Sequence, residues 1–165
     1  MAANKAKKKQ TLRNNEYYST QDLFDDLYEK SQRGETFTHL MELIASEQNI
    51  LLAYRAIKKN KGSKTKGVNS TTIVEMGEKQ PEELIAYVRK RLQNFHPHAV
   101  RRVEIPKPDG RMRPLGIPTM EDRIVQQCIK QVLEPICEAK FYKHSYGFRP
   151  NRSAHHAVAR AMFLV

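Results

Sequence analysis

The sequence predicts an α+β protein that is mostly helical and carries one β-hairpin. Apolar residues recur at helical spacing in several segments, most clearly between residues 119 and 136. Val103 and Ile105 instead alternate with polar residues and lead into Pro108, Asp109 and Gly110, whose chemistry favours a tight turn. Apolar residues make up 39% of the chain. Because this is below the usual range for globular domains, the core should be modest and the surface extensive.

The pattern divides the chain into four segments. Residues 1–17 are polar and basic and predict a flexible arm, and residues 18–98 predict an N-terminal helical region. Residues 99–140 predict a hairpin followed by a long helix, and residues 141–165 predict an aromatic-rich loop and the start of another helix. The last residues are still apolar, which is typical of a chain that continues further in its parent protein.

Local signals predict where the helices begin and end and which faces they bury. Residues that favour a helix start are Ser19, Thr20, Ser46, Pro81 and Thr119, the last with Asp122 as a capping box, and residues that favour a helix end are Gly34 and Gly62. Helical spacing predicts three buried faces, formed by Phe37, Leu40, Met41 and Ile44, by Leu84, Ile85, Val88 and Leu92, and by Ile124, Val125, Cys128, Ile129, Val132, Leu133 and Ile136. Cys128 and Cys137 have apolar neighbours, so both are expected to be buried free thiols.

Residues 99–118 are interpreted as the hairpin. Pro106 and Pro114 have no backbone N–H to donate to a strand ladder, so the hairpin should be exposed or lie at an edge. Basic residues crowd it, namely Arg101, Arg102, Lys107, Arg111 and Arg113, against only Glu104 and Asp109. A protruding cationic ribbon suits the binding of phosphates. The alternative is a solvated edge hairpin whose charges prevent aggregation.

The charge balance predicts a polyanionic partner. There are 29 Lys and Arg against 18 Asp and Glu, a formal net charge of +11, and the signs are segregated along the chain. Residues 51–70 contain no acid, and no acid follows Glu138. The candidate RNA-binding cations are Lys5, Lys7, Lys8 and Lys9 in the arm, and Arg55, Lys58, Lys59, Lys61, Lys64 and Lys66 further on. The alternative is a basic surface that only aids solubility.

Residues 142–152 interleave aromatic and basic side chains, which suits stacking on bases and pairing with phosphates. The alternative for this segment is a loop packed by its own aromatic residues.

Several other classes of protein and site are not indicated. No stretch of about 18 apolar residues predicts a membrane span, and the lysines of the arm precede no apolar segment of a secretory signal. Two cysteines are too few for a disulfide framework, so we expect a cytoplasmic protein. The pairs His96 with His98 and His155 with His156 lack the companions of a zinc site. We therefore expect neither a metal site nor catalytic residues in this chain.

Three blocks of the sequence, in order, resemble reverse transcriptases encoded by group II introns. Residues 103–110 (VEIPKPDG), 113–119 (RPLGIPT) and 122–123 (DR) resemble the first conserved block, and residues 145–150 (SYGFRP) with 152–155 (RSAH) resemble the second. Residues 49–62 resemble an N-terminal block shared with non-LTR retroelement enzymes. The chain departs from the family at Asn69 and at His156, where an Asp is common; neither position is a metal ligand in the family.

The resemblance implies a fold and roles for particular residues. The chain would form the fingers and the beginning of the palm of a right-hand polymerase, with the hairpin in the fingers. Lys107 and Arg113 would contact the triphosphate of an incoming deoxynucleoside triphosphate. The segment Leu115, Gly116, Ile117 and Pro118 would pack against the templating base, and Phe148, Arg149, Pro150 and Arg152 would lie near the backbone of an RNA template with its DNA primer. The N-terminal block would form a lid over the template.

The resemblance also implies what the chain lacks. Polymerase chemistry uses two magnesium ions held by carboxylates, and in the family these carboxylates follow the last helix of this sequence. The full-length enzyme would therefore need magnesium and act in intron mobility and, as a maturase, in RNA splicing, whereas these residues alone should synthesise no DNA. One alternative is a stand-alone module that binds group II intron RNA without a catalytic role. Another is self-association into a homodimer through the apolar side of the last helix.

Overall fold

The computed structural model describes residues 14–78 and 80–164. Within these residues the chain forms eight α-helices, one 3₁₀ turn and one two-stranded antiparallel sheet. The helices are α1 (Asn14–Tyr17), α2 (Gln21–Gln32), α3 (Leu40–Ile44), α4 (Glu47–Lys59), α5 (Ile73–Met76), α6 (Pro81–Gln93), α7 (Met120–Glu138) and α8 (Ala154–Leu164); the strands are β1 (Arg101–Pro106) and β2 (Met112–Ile117), and the 3₁₀ turn is Lys61–Lys64. The predicted α+β class, mostly helical with one hairpin, is confirmed.

Helix α7 is the central element of the core. Helices α2, α3, α4 and α6 all pack against it, and the side chains of Met120, Ile124 and Val132 are fully buried. Ile50 on α4 is equally buried on the facing side. Each such side chain contributes about 1.5–3 kcal/mol relative to exposure, so the contacts of α7 dominate the packing of the domain.

A buried polar network sets the register of this packing. The Asn49 side-chain amide donates to Ile44 O at 2.9 Å and to Cys128 O at 3.0 Å, while Gln131 Nε2 donates to Asn49 Oδ1 at 2.7 Å. Because a buried polar group without a partner is costly, these bonds favour one alignment of α3, α4 and α7.

The hairpin protrudes from the helical body. Arg101 pairs with Ile117 and Ile105 pairs with Arg113 across the two strands, and the residues of both strands are exposed or half-buried. Gly110 adopts a φ of 79° in the turn, a conformation that glycine accepts without strain. The prediction of an exposed hairpin with Pro106 and Pro114 in its strands is confirmed.

Most predicted helix ends are confirmed. Ser46 Oγ accepts a hydrogen bond from the Asn49 amide, Pro81 opens α6, and Thr119 Oγ1 accepts from the Asp122 amide. The capping box predicted for Thr119 is not completed, because the Asp122 carboxylate binds Arg91 and His98 instead. Gly34 follows α2 with a φ of 77°.

Two predicted caps are wrong, and one helix between Gly62 and Pro81 was missed. Thr20 precedes α2 without capping it through its side chain, because its hydroxyl donates to Asn15 O. Gly62 is not a left-handed cap: α4 ends one turn earlier, and the 3₁₀ turn contains Gly62. The missed helix is α5, whose capping box joins Thr72 and Glu75.

Three expected core residues are exposed instead. Met41 is 52% exposed, Leu133 is 37% exposed, and the thiol of Cys137 lies at the surface while that of Cys128 is buried. Leu133 and Cys137 lie one turn apart on α7, on a side that no helix covers within the part of the chain that the structure describes. There they line an apolar groove with Phe141 and Phe148. The apolar residues of α7 therefore cover more of its surface than the neighbouring helices bury.

The N-terminal arm lies mostly outside the described residues, and so do its lysines at positions 5, 7, 8 and 9. Its last four residues form α1 rather than an irregular segment. Among the described residues no helix is long and apolar enough to cross a membrane.

Candidate nucleic-acid interface

Lys107 lies at the tip of the hairpin without a side-chain partner among the described residues. Its backbone N–H donates to Arg111 O at 2.8 Å, and its carbonyl accepts from Gly110 at 3.0 Å. The neighbouring cation is occupied, because Arg111 donates from Nη2 to Asp109 Oδ2 at 2.7 Å. Hydrogen bonds from the Arg111 side chain and backbone lower the pKa of Asp109. The tip therefore presents the ammonium group of Lys107, which has no partner among the described residues, beside the ion pair of Arg111 and Asp109.

Strand register places Arg113 on the same face as Leu115 and Ile117. These three residues face Ile105, Val103 and Arg101 across the ladder, and side chains alternate between the faces of a strand. Arg113, one of the two predicted nucleotide contacts, thus shares one face of the hairpin with Leu115 and Ile117, two of the predicted template contacts. Pro118 follows β2 and is half-buried.

Gly116 lies on the opposite face of the hairpin, next to Val100. A Cβ added at Gly116 would come within 3.0 Å of Val100 Cγ2. The missing side chain therefore accommodates Val100 in this structure.

A buried carboxylate anchors the base of the hairpin. Asp122 Oδ1 accepts from Arg91 Nη2 at 2.5 Å, and Oδ2 accepts from the His98 amide at 2.7 Å. The His98 ring lies 3.1 Å from the same carboxylate. Burial raises the pKa of Asp122, but hydrogen bonds from His98 and Arg91 outweigh it and hold the pKa below its usual value. The cluster joins α6, the segment before β1 and α7.

A surface that we call the basic loop, residues 61–66, lies beside this base. Lys61, Lys64 and Lys66 are exposed, and the side chains of all three lack hydrogen-bond partners among the described residues. Arg101 Nε donates to Lys66 O at 3.0 Å, which joins the loop to β1. The other predicted RNA contacts Arg55, Lys58 and Lys59 are exposed on α4; Lys58 Nζ lies 5.5 Å from the Tyr54 ring centroid.

In the loop between α7 and α8, the Arg149 side chain binds two backbone carbonyl groups of the loop and a carboxylate at the end of α7. Its side chain is 6% exposed and pairs with Glu138 through Nη2 at 2.5 Å, and Nη1 donates to Tyr142 O at 2.8 Å and to Ser145 O at 3.1 Å. Arg149 also lies 5.3 Å from the Phe141 ring centroid. Because Phe141, Tyr142 and Phe148 are exposed, the hydrogen bonds of Arg149 hold this loop more than packing of its aromatic rings does.

The other predicted template contacts of this loop face outward. Phe148 is fully exposed and adopts a φ of 57°, which is strained for an aromatic residue. Pro150 and Arg152 are also exposed; Arg152 donates to Lys143 O at 3.1 Å and lies 5.6 Å from the Tyr146 ring centroid.

The described residues do not fit a magnesium site. Among them no group of three or more His, Cys, Asp or Glu side chains is placed to hold a metal ion. Asp122, the most buried aspartate of the interface, is fully engaged by Arg91 and His98. No chemical step through a metal is therefore assigned to these residues.

Sequence reasoning missed Arg91, His98 and Arg123, whose roles depend on partners far along the chain. Arg91 and Asp122 are separated by 31 residues, and Arg123 reaches Gly62 across 61 residues. The exposed histidine before β1 and the Asp-Arg pair after Thr119 were the only local signals.

Sequence comparisons relate this chain to known proteins. Residues 105–163 match the family model described as reverse transcriptase (RNA-dependent DNA polymerase). Protein YkfC of Escherichia coli is 41% identical over 121 residues, covering 72% of this chain and 32% of that protein. The group II intron-encoded protein LtrA of Lactococcus lactis is 34% identical over 142 residues, covering 84% of this chain and 23% of that protein.

A further relative comes from yeast. The putative COX1/OXI3 intron 2 protein of Saccharomyces cerevisiae is 36% identical over 121 residues, covering 73% of this chain and 14% of that protein. The chain therefore spans about a third of the length of its relatives or less. It belongs to the reverse transcriptase family, among the members encoded by group II introns.

Proposed function

We propose that the parent protein is an RNA-directed DNA polymerase that copies group II intron RNA during mobility and supports its splicing as a maturase. In that protein the described residues would bind the RNA template, its DNA primer and the incoming deoxynucleoside triphosphate. One observation carries the proposal. The hairpin, whose residues 105–117 lie in the matched region, presents at its tip Lys107, which has no side-chain partner among the described residues, and presents Arg113 on one face with Leu115 and Ile117.

The chemistry of this face fits the proposal. Lys107 and Arg113 would neutralise charge that develops on the triphosphate, an effect that is strong in a closed site. Leu115 and Ile117 offer an apolar surface on the same face for the templating base. The exposed ring of Phe148 can stack on a base, which is worth about 1–3 kcal/mol at single-strand sites.

The metal requirement belongs to the parent protein. Two magnesium ions would stabilise the attacking and leaving oxygens of nucleotide transfer, and carboxylates outside these residues would hold them. The described side chains would act by binding and orienting the substrates.

The test measures binding of this chain to its intron RNA and to an RNA–DNA primer–template duplex across a salt series. With the deoxynucleoside triphosphate that pairs with the next template base also present, Lys107→Ala and Arg113→Ala should each weaken the binding of that nucleotide, because each removes a cation that contacts its triphosphate. Lys30→Ala is the matched control, because Lys30 is a lysine of α2 that already pairs with Asp26. Equal effects of all three substitutions would contradict the proposal.

A second candidate function is an intron-RNA-binding module without a catalytic role. It is favoured by the exposed cations of residues 55–66, which have no acidic residue among them. Removal of residues 1–13 leaves Asn15, which accepts a hydrogen bond from Thr20, in place. If this removal weakens intron RNA binding strongly while Lys107→Ala and Arg113→Ala do not, the module is the better description.

We also propose that the chain self-associates into a homodimer. Val158, Met162, Phe163 and Leu164 of α8 are each at least 58% exposed, an apolar surface that a second copy could cover. Sedimentation that shows only monomer at high protein concentration would contradict the homodimer.

We further propose that the protein is cytoplasmic. Cell fractionation with detection of the protein only in a membrane or organelle fraction would contradict this location.

A further inference from the structure

The Arg123 guanidinium binds backbone carbonyl groups of two separate segments. Nε donates to Pro118 O at 3.1 Å, Nη1 donates to Gly62 O at 3.0 Å, and Nη2 donates to Thr65 O at 3.1 Å. Pro118 follows β2, and the other two carbonyls belong to the basic loop. One side chain of α7 therefore joins the base of the hairpin to the basic loop.

Two further contacts hold the basic loop in the same place. Arg101 of β1 donates to Lys66 O at 3.0 Å. Gly67, which follows the loop, is buried, and a Cβ added there would lie 2.7 Å from Thr119 Cα and 2.9 Å from Thr119 N. Because backbone atoms cannot move away as a flexible side chain does, only glycine allows this approach.

These contacts work against electrostatic repulsion. Burial lowers the pKa of Arg123, and the nearby charge of Arg101 lowers it further. The loop adds the exposed lysines Lys61, Lys64 and Lys66 to the same region. Like charges repel one another, and the hydrogen bonds from Arg123 to the carbonyl groups offset this repulsion. They hold in place a cationic surface that a polyanion would stabilise.

We propose that Arg123 is a positioning residue, which fixes the basic loop against the hairpin so that its three lysines meet the same nucleic-acid backbone as the hairpin does. Gly67 has the same task through its close approach to Thr119. The inference deepens the proposed function and rests on it. Arg123 itself need not touch the nucleic acid, since its donors are directed at the protein.

The test separates position from charge. Arg123→Lys keeps the positive charge, but one ammonium nitrogen cannot replace the planar fork that spans three carbonyls. Gly67→Ala changes no charge and displaces the loop. With single-stranded polyuridylate RNA as the probe, both variants should reduce the salt slope by about 2, since three lysines contribute about 0.7 each. Arg89→Lys is the matched control, because Arg89 donates to Ala45 O between α6 and the end of α3.

A second measurement reports on the loop itself. The amides of Ser63 and Thr65 donate to Asn60 O and Gly62 O within the turn, so their hydrogen exchange should become faster in Arg123→Lys and Gly67→Ala. The circular dichroism spectra should remain those of the unaltered chain.

The outcomes are distinguishable. Salt-independent binding by the unaltered chain would overturn the proposed function and this inference with it. Normal binding by the unaltered chain, together with an unchanged slope in Arg123→Lys, overturns the inference alone. A reduced slope with unchanged exchange at Ser63 and Thr65 also overturns it, because Arg123 would then act by direct contact.

Discussion

Replacement of Asp122 by alanine should destabilise the protein by about 3 kcal/mol. The substitution removes the acceptor of the His98 amide and leaves the Arg91 guanidinium, whose side chain is 17% exposed, without its carboxylate. Breaking a buried pair costs about 3–5 kcal/mol. We take the lower end because Arg91 keeps its bond to His96 O.

Urea unfolding followed by circular dichroism measures this difference. In thermal unfolding the same loss should lower Tm by roughly 6–12 °C, at about 2–4 °C per kcal/mol for a chain of this size. Asp26→Ala is the control, since Asp26 makes an exposed ion pair with Lys30 and should change stability by less than about 1 kcal/mol. Equal effects of the two substitutions would refute the reasoning, because the Asp122 cluster would then behave as a surface pair.

The pH dependence of stability checks the same cluster. The hydrogen bonds from His98 and Arg91 keep the pKa of Asp122 lowered, despite burial. A carboxylate with a lowered folded pKa stabilises the protein above the unfolded pKa, and that stabilisation is lost as pH falls through the folded pKa. The difference between the unaltered chain and Asp122→Asn should be full at neutral pH and shrink below about pH 4, where unfolded Asp titrates. The ionisable groups that face Asp122 are Arg91 and His98, with Tyr87 nearby. A difference that persists unchanged into acid would contradict this account.

Three further predictions concern other parts of the chain. Iodoacetamide should modify Cys137 and spare Cys128, because Cys137 is exposed and burial raises the pKa of the Cys128 thiol to about 12; mass spectrometry of the peptides gives the answer. Gly77→Ala should destabilise the protein by about 1–3 kcal/mol, since its Cβ would overlap the Tyr54 hydroxyl, and Tyr54→Phe should recover part of that loss in urea unfolding. The chain of 165 residues should not extend a primer on an RNA template with magnesium and deoxynucleoside triphosphates, and any extended product on a sequencing gel would show otherwise.

The predicted elements that proved correct are those with strong local signals. Helix α6 combines Pro81 at its start with four apolar residues at helical spacing, and all four are buried. The hairpin combines alternation with turn residues, and its register follows from the turn. Helix α5 was missed because one helical turn is too short for periodicity to show, although its Thr72 and Glu75 carry the capping signal.

The errors share a different cause. Leu133 and Met41 fit the helical stripe, but exposure depends on which neighbouring elements are present, and periodicity does not contain that information. Gly62 was expected to cap α4, yet the carbonyls of the following turn are fixed by Arg123, which lies 61 residues away. Long-range hydrogen bonds of this kind leave no pattern in the local sequence, so the candidate site was predicted by its cations and not by the bonds that position them.

Basic side chains have two roles in this structure, and the net charge does not distinguish them. Arg91, Arg123 and Arg149 direct their guanidinium groups at carboxylates and carbonyls inside the chain, a use that suits a planar group with several donors. Lys61 and Lys107 are exposed, and among the described residues their side chains have no such partners. Loss of one of these lysines should therefore change the affinity for a polyanion and its salt dependence directly, and loss of Arg123 should change them through the position of the basic loop. Loss of Arg91 or Arg149 should first change the stability of the fold. The count of 29 Lys and Arg thus overstates the number of cations that are available to a partner.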